Sequence, residues 1–314
     1  MPGEQGKTVT HGLILRDTDT KETDKILTVL TEEMGKISVI ARGARRKNSR
    51  LAAACQLFAW SEMTLYRRGN WYYLDAAEPE ELFSGLQKDL VRFSLAAYLA
   101  ELTEFVAGEE TEAGELLRLL LNGLYALGNL GRDPALVKPA FTFRLLALAG
   151  FEPLCDGCAV CGAETARDPV LDAVQGVVHC RECGEGGGEK LPLSAACVTA
   201  LEHILHGPSR RLYSFTLGPE DLELLDRAAE GFAAAQLERS FRTLGRGRRL
   251  PTVVPTFGRW GIIRRYLFER TGDPVRQGPI TQHLVGQGPC ALPWVREKFG
   301  SGRRENRRSA ASGR

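Results

Sequence analysis

The chain has 314 residues, of which 43% are hydrophobic and 25% are charged, and its formal net charge is +2. This composition is typical of a folded globular protein, and the length allows about two or three domains of roughly 100–200 residues each. No apolar run is long enough for a transmembrane helix, and residues 1–12 lack the apolar core of a signal peptide, so we expect a cytoplasmic protein with no membrane partner.

The N-terminal part, residues 8–78, has the alternation and the β-branched residues of strands. Five strands are predicted, in TVTHGLILR, KILTVLT, KISVIAR, FAWSEMTLY and WYYLDAA. The cluster DTDTKETD (17–24) predicts the first turn, and Gly69 with Asn70 predicts a hairpin turn between the last two strands. Five short strands fit a five-stranded OB barrel, although their number alone does not determine the topology.

A concentrated basic segment, RGARRKNSR, occupies residues 42–50 between the third and fourth predicted strands, and we call it the basic loop. Its cations are Arg42, Arg45, Arg46, Lys47 and Arg50, and the neighbouring hairpin adds Arg67 and Arg68. Cations can neutralise nucleic-acid phosphates, and OB barrels hold single strands in a basic groove beside aromatic side chains that stack on bases. The alternative is a solvated run of charges.

Five aromatic residues of the predicted barrel are candidates for stacking on bases. They are Trp60, Tyr66, Trp71, Tyr72 and Tyr73. Because side chains alternate between the two faces of a strand, about half of them should face the core instead.

From Pro79 onward the pattern becomes helical, beginning with the apolar stripe Leu95, Leu99, Leu102 and Val106. The segment GELLRLLLNGLYALGNLG predicts a helix that ends at Gly131, and Asp133 followed by Pro134 predicts the start of the next. Pro139 should bend that helix or shift its start. Two further helices are predicted, over residues 194–206 and from about 222 to 244.

The strongest chemical signal is Cys158-x2-Cys161-x18-Cys180-x2-Cys183, inside a loop-rich insert at residues 151–190. Two Cys-x2-Cys knuckles at this spacing predict one zinc ion, and four thiolates would fill its coordination shell, so the metal would be structural. Cys155 forms a competing pair with Cys158, and His179 could replace one ligand. The alternative for Cys155 is a packed thiol outside the site.

Signals for catalysis are weak, and we predict no catalytic residue and no enzyme. The sequence contains neither His-x-Glu nor His-Glu-x-x-His, and GEGGGEK (184–190) lacks the Ser or Thr that follows lysine in a phosphate loop. His203 and His206 could bind a metal, but a solvent-side pair at a helix end is the favoured prediction. Cys55 and Cys197 are predicted as small core residues.

Two segments resemble signatures of the bacterial RecO DNA-repair proteins. TDKILTVLTEEMGKISVIARGARRKNSR resembles their N-terminal signature, and AFTFRLLALAGFEPLCDGCAVCG resembles their middle signature, which leads into the zinc site. AACVTALEHIL and AQLERSFRTL are similar to their closing helices, so the resemblance covers residues 8–244.

The resemblance implies an α+β multidomain protein with an OB-fold DNA-binding domain (1–79) and a helical domain (80–244) that contains the zinc-binding insert. It implies a nucleoid-associated mediator of recombinational repair that binds single- and double-stranded DNA and anneals strands. Its implied partners are RecR, single-strand-binding protein and, functionally, RecA. It also places the zinc ligands at Cys158, Cys161, Cys180 and Cys183, the DNA contacts in the basic loop, and an ordinary loop residue at Cys155.

The last part of the chain departs from this pattern. Residues 245–314 carry 15 Lys and Arg against 4 Asp and Glu, whereas residues 81–244 carry 14 against 24. We predict that 245–314 is mostly disordered, and a frameshift near Gly245 or a genuine basic extension would each produce this composition.

The alternative function is that of a zinc-ribbon and OB protein of RNA metabolism or transcription. A metal-dependent nuclease or deaminase is disfavoured, because four thiolates leave no open position on the metal.

Overall fold

The computed structural model describes residues 6–184 and 189–244. Residues up to 234 belong to one compact unit, whereas residues 235–244 belong to a second one and are described only as the end of a helix. The predicted disordered segment 245–314 and the centre of GEGGGEK lie outside the described residues. Within the described ranges, no helix is long and apolar enough to cross a membrane.

The N-terminal part is a closed five-stranded barrel with the strand order β1-β2-β3-β5-β4. Its strands are β1 (Thr8–Thr20), β2 (Asp24–Thr31), β3 (Lys36–Ala41), β4 (Trp60–Arg68) and β5 (Trp71–Glu81). Neighbouring strands are antiparallel except β3 and β5, which are parallel. This is the Greek-key barrel of the OB fold, as predicted. Its core includes the fully buried Ile14, Leu27, Val29 and Leu65.

The first turn is shorter than predicted. DTDTKETD contains Asp17–Thr20, which continue β1, and Asp24, which begins β2, so only residues 21–23 form the turn. Polar residues form strand here because they lie on an outward-facing hairpin, where Thr20 pairs with Asp24 and Asp19 with Lys25.

The helical part contains five α-helices among the described residues. They are α1 (Leu90–Val106), α2 (Gly114–Gly128), α3 (Pro134–Leu148), α4 (Ala195–His206) and α5 (Pro219–Leu244).

The start of α3 follows the predicted capping residue, and the end of α2 differs from the prediction. Asp133 caps α3 through a 3.0 Å hydrogen bond from the backbone N–H of Ala135, as predicted. Helix α2 ends at Gly128, and Gly131 follows it with a φ of 62° in the connection to α3. Pro139 lies inside α3 and does not shift its start, because that start is set by the Asp133 cap and Pro134.

Between α3 and α4 the insert forms a small antiparallel sheet with the order β7-β6-β8. Its strands are β6 (Pro169–Asp172), β7 (Val177–Cys180) and β8 (Lys190–Pro192). The sheet gives the loop-rich insert a rigid frame, and Cys180 is the last residue of its strand β7.

Backbone contacts join the barrel to the helical part. The turn between β2 and β3 lies against the loop between α1 and α2, where the backbone N–H of Lys36 donates to the carbonyl of Gly108 at 3.1 Å. Gly35 in this turn has a φ of 59°, and a Cβ there would lie 2.1 Å from the carbonyl oxygen of Thr111. Only glycine fits both the conformation and the space.

Candidate metal centre and nucleic-acid interface

The four predicted metal ligands come together at one end of the small sheet. The Sγ atoms of Cys158, Cys161, Cys180 and Cys183 all lie within 4.8 Å of one another. Each Cys-x2-Cys segment is closed by a backbone hydrogen bond, from Gly162 to Cys158 at 2.9 Å and from Cys183 to Cys180 at 3.0 Å. These tight turns aim two thiols each at a common point.

The backbone around the cluster favours a thiolate at Cys158, whereas the Cys161 thiol beside Cys183 raises the pKa of Cys183 and the pKa of Cys180 is raised as well. The backbone N–H groups of Cys161 and Cys180 point at Sγ of Cys158, at 3.5 and 3.3 Å, and they lower the pKa of Cys158 to about 6. The N–H of Arg167 points at Sγ of Cys180 at 3.1 Å. Four sulfurs around a tetrahedral ion with metal–sulfur bonds of 2.3 Å would be about 3.8 Å apart, so the residues fit a metal ion with little movement.

Two predicted alternative ligands lie outside this cluster. Cys155 is buried and groups instead with Asp156 and His206. The ring of His179 is buried, and its Nδ1 lies 2.8 Å from the carbonyl oxygen of Cys180. A Cβ on Gly184 would lie 2.2 Å from Cε1 of this ring. His179 is therefore a packing residue.

The other chemistry-bearing residues singled out in the sequence have structural surroundings. Nε2 of His203 lies 2.9 Å from the carbonyl oxygen of Arg211, whereas His206 groups with Cys155 and Asp156. Cys55 and Cys197 are fully buried, as predicted, in the barrel core and on the buried face of α4 respectively.

The basic loop follows β3 and is anchored to the barrel by its uncharged residues. Ala44 is buried in the barrel core, and the N–H of Gly43 donates to Oδ1 of Asp24 at 2.8 Å. This hydrogen bond holds the pKa of Asp24 below its usual value. The N–H of Arg45 donates to the carbonyl of Thr23 at 2.9 Å. The loop backbone is thus fixed, while all five of its cationic side chains are exposed.

The register of the barrel places aromatic rings beside these cations. Tyr66 on β4 pairs with Tyr73 on β5, and their rings stack with centroids 5.3 Å apart. The guanidinium of Arg42 lies over the Tyr73 ring at 4.8 Å, and that of Arg67 lies over the Tyr72 ring at 5.4 Å. A surface of two stacked rings with a cation above it resembles, in its chemistry, the sites that hold single-stranded nucleic acid.

Two of the predicted DNA-binding cations form ion pairs within the chain. Arg45 lies 3.2 Å from Asp19, and Arg67 lies 3.4 Å from Glu110. Exposed pairs of this kind stabilise a protein by about 0–1 kcal/mol, so a phosphate can replace the carboxylate at little cost.

The other candidate stacking residues divide between core and surface. Trp60 is only 1% exposed, packs on the His11 ring, and donates from Nε1 to Glu80 at 2.9 Å, so it is not available to a base. Tyr72 packs against the barrel core. Trp71, at the tip of the β4–β5 hairpin, is 43% exposed and stays a candidate.

Two features of these sites depend on tertiary contacts that no sequence pattern shows. Asp24 lies in the segment predicted as a turn, and its role as the anchor of Gly43 depends on the pairing of β2 with β3. The grouping of Cys155 with His206 has no sequence signal, because about 50 residues separate them and only the packing of α4 against the insert brings them together.

Comparison with known proteins supports both parts of the fold. The model of the family "Recombination protein O N terminal" matches residues 6–83, and that of "Recombination protein O C terminal" matches residues 87–245.

Several curated bacterial proteins named DNA repair protein RecO are similar to the chain over most of its length. One from Acetivibrio thermocellus is 30% identical over 75% of this chain and 94% of its own. The one from Symbiobacterium thermophilum is 34% identical over 74% of this chain and 93% of its own length. The one from Anaeromyxobacter sp. (strain K) is also 34% identical, over 79% of this chain and 97% of its own length. The chain therefore belongs to the RecO family and is a non-enzymatic DNA repair and recombination protein.

Proposed function

We propose that the chain is a recombination mediator that binds single- and double-stranded DNA and anneals complementary strands. In this proposal it acts with RecR to load RecA onto DNA covered by single-strand-binding protein, in the cytoplasm at the nucleoid. The observation that carries the DNA-binding part is the fixed backbone of the basic loop with five exposed cations beside the stacked pair Tyr66 and Tyr73.

The proposed DNA contacts are Arg42, Arg45, Arg46, Lys47, Arg50, Arg67 and Arg68. Phosphate contacts and ring stacking both leave the pairing edges of the bases free, since neither uses the hydrogen-bonding groups of the bases. A strand held in this way could pair with a complementary strand, which is the chemical requirement for annealing.

We propose that the four-cysteine cluster holds one structural zinc ion. Four thiolates suit zinc, and a closed shell of protein ligands gives the ion no position for water or substrate. Its role would be to join the two knuckles of the insert, which is otherwise held by three short strands. We also propose the domain boundaries 1–79 and 80–244, with residues 151–190 as the zinc-binding insert.

Simultaneous replacement of Arg42, Arg45, Arg46 and Lys47 by Ala tests the DNA interface. Affinity for a single-stranded oligonucleotide is measured over a series of salt concentrations, because each lost phosphate contact reduces the slope of log K against log salt by about 0.7. The variant should bind more weakly, with a slope shallower by up to about 3. An unchanged slope would show that the loop does not contact phosphates.

A matched control removes four exposed cations from the helical part, Lys88, Arg210, Arg211 and Arg227. This variant has the same net charge as the loop variant, so retention of the wild-type slope assigns the effect to the loop. RNA of the same sequence serves as a second ligand, and preference for RNA would favour the alternative function. Strand annealing with and without single-strand-binding protein then tests the mediator activity in the same variants.

A further inference from the structure

A second group of side chains that could bind a metal lies where the insert meets the end of α4, outside the four-cysteine cluster. The donor atoms of Cys155, Asp156 and His206 all lie within 4.8 Å of one another. A fourth polar group is close, because Oε1 of Glu152 lies 3.7 Å from Nδ1 of His206. The thiol is buried, whereas Asp156 and His206 are exposed, so the group is open to solvent on one side.

The backbone on the insert side of this group is held firmly. Leu154 pairs with β7, since its N–H donates to the carbonyl of Gly176 and its carbonyl accepts from the N–H of Val178, both at 2.8 Å. One residue further, the N–H of Gly157 donates to the carbonyl of Cys155 at 2.8 Å and turns the chain towards Cys158. Cys155 and Asp156 therefore sit in a fixed turn.

The helix side is held equally firmly. His206 is the last residue of α4, and the guanidinium of Arg144 on α3 donates to the carbonyls of Ile204 and Gly207 at 3.1 Å each. The end of α4 is thereby fixed against α3. The metal-ligating groups therefore lie on two rigid elements that already hold them close together. Ion binding is favoured because little conformational entropy is lost.

We propose that Cys155, Asp156 and His206 form a second site for a divalent transition metal such as Zn²⁺ or Co²⁺. One sulfur, one imidazole nitrogen and one carboxylate oxygen are all ligands that these borderline ions accept, and a hard ion such as Mg²⁺ would avoid the thiolate. Three protein ligands leave a position for water or for the Glu152 carboxylate. The ion in this site therefore exchanges more readily than the one in the four-cysteine cluster.

Metal at this site links the insert directly to α4, because Cys155 and Asp156 belong to the first and His206 to the second. Residues far apart in the chain would share one ion. The bound ion thus attaches the insert to α4. Replacement of any of the three ligands removes this attachment.

Titration of the metal-free, reduced full chain with Co²⁺ tests the proposal. Wild type should bind two equivalents, and the second should add about one quarter of the thiolate-to-cobalt absorbance of the first, because it involves one sulfur instead of four. His206→Ala and Asp156→Asn should each bind one equivalent only. Both residues are exposed, so neither change should disturb folding, and an unaltered first equivalent verifies that.

His203→Ala is the matched control, because His203 lies on the same helix and outside the group. It should retain two equivalents. A wild-type chain that saturates at one equivalent, a second equivalent without added thiolate absorbance, or a second equivalent that survives His206→Ala would each overturn the proposal. None of these outcomes bears on DNA binding, which is measured separately.

Discussion

Replacement of Gly35 by Ala should destabilise the protein through steric overlap between the barrel and the helical part. Gly35 has a φ of 59°, and an added Cβ would lie 2.1 Å from the carbonyl oxygen of Thr111 and 3.0 Å from that of Gly108. Both contacts are with backbone, which cannot rotate away as a flexible side chain can. Relief would require the β2–β3 turn to move away from the loop between α1 and α2, which would weaken the hydrogen bond from Lys36 to Gly108.

A matched variant separates the loss of unfolding free energy into two contributions. Left-handed backbone at a non-glycine residue costs roughly 1–2 kcal/mol, and overpacking in a well-packed contact costs roughly 1–3 kcal/mol more. Gly69, in the β4–β5 hairpin, has a φ of 63° with no atom within 4 Å of an added Cβ. Gly69→Ala should therefore show only the first contribution, and Gly35→Ala both, about 2–5 kcal/mol in total.

Urea unfolding of the full chain, followed by far-ultraviolet circular dichroism, measures the two variants against wild type. Equal losses of unfolding free energy in Gly35→Ala and Gly69→Ala would refute the steric argument, because they would show that only backbone conformation matters. A change in the dependence of the free energy on urea would show instead that the two parts no longer unfold together.

Two further predictions concern the stacked tyrosines and the ion pairs of the largely buried Lys138. Tyr73→Ala should weaken binding of single-stranded DNA by about 1–3 kcal/mol and binding of duplex DNA by less, because stacking needs a ring and unstacked bases. Tyr73→Phe keeps the ring and should retain binding. Equal losses of affinity for both DNA forms in a titration would contradict a stacking role. Lys138→Ala should lower the unfolding free energy by about 1–3 kcal/mol, because it leaves the carboxylates of Asp226 and Glu230 without the Lys138 ammonium that lies between α3 and α5. Its control, Arg227→Ala, breaks an exposed pair with Glu223 and should change stability by no more than about 0.5 kcal/mol; a similar loss in both would show that burial of Lys138 is unimportant.

Sequence predicted the features that depend on short spacing. The two Cys-x2-Cys knuckles identified all four members of the cluster, because a knuckle is a local turn and the spacing between knuckles is limited. Asp133 and Pro134 identified the start of α3 for the same reason. Alternation also predicted that only some of the aromatic residues would be exposed on the barrel, without showing which ones.

Features that depend on tertiary contacts could not be predicted from a sequence pattern. Trp60 and Trp71 are the same residue type in adjacent strands, yet Trp60 is held inside by His11 and Glu80, whereas Trp71 lies at a hairpin tip. Thr18 and Thr20 have the composition of a turn but become strand, because the pairing with β2 continues past the apolar residues. In each case the deciding partner is distant in sequence or lies on another strand.

The distribution of charge between the two parts of the molecule bears on where DNA would bind in the proposed function. Residues 81–244 carry 24 acidic residues against 14 basic ones, so a strand held at the basic loop would be repelled by the surface of the helical part. A strand confined in this way contacts few cations, and the barrel alone would then hold it by a few phosphates and stacked rings. In the proposed function, binding of this kind would let the strand be released once it pairs, whereas a tight, extended groove would hold it.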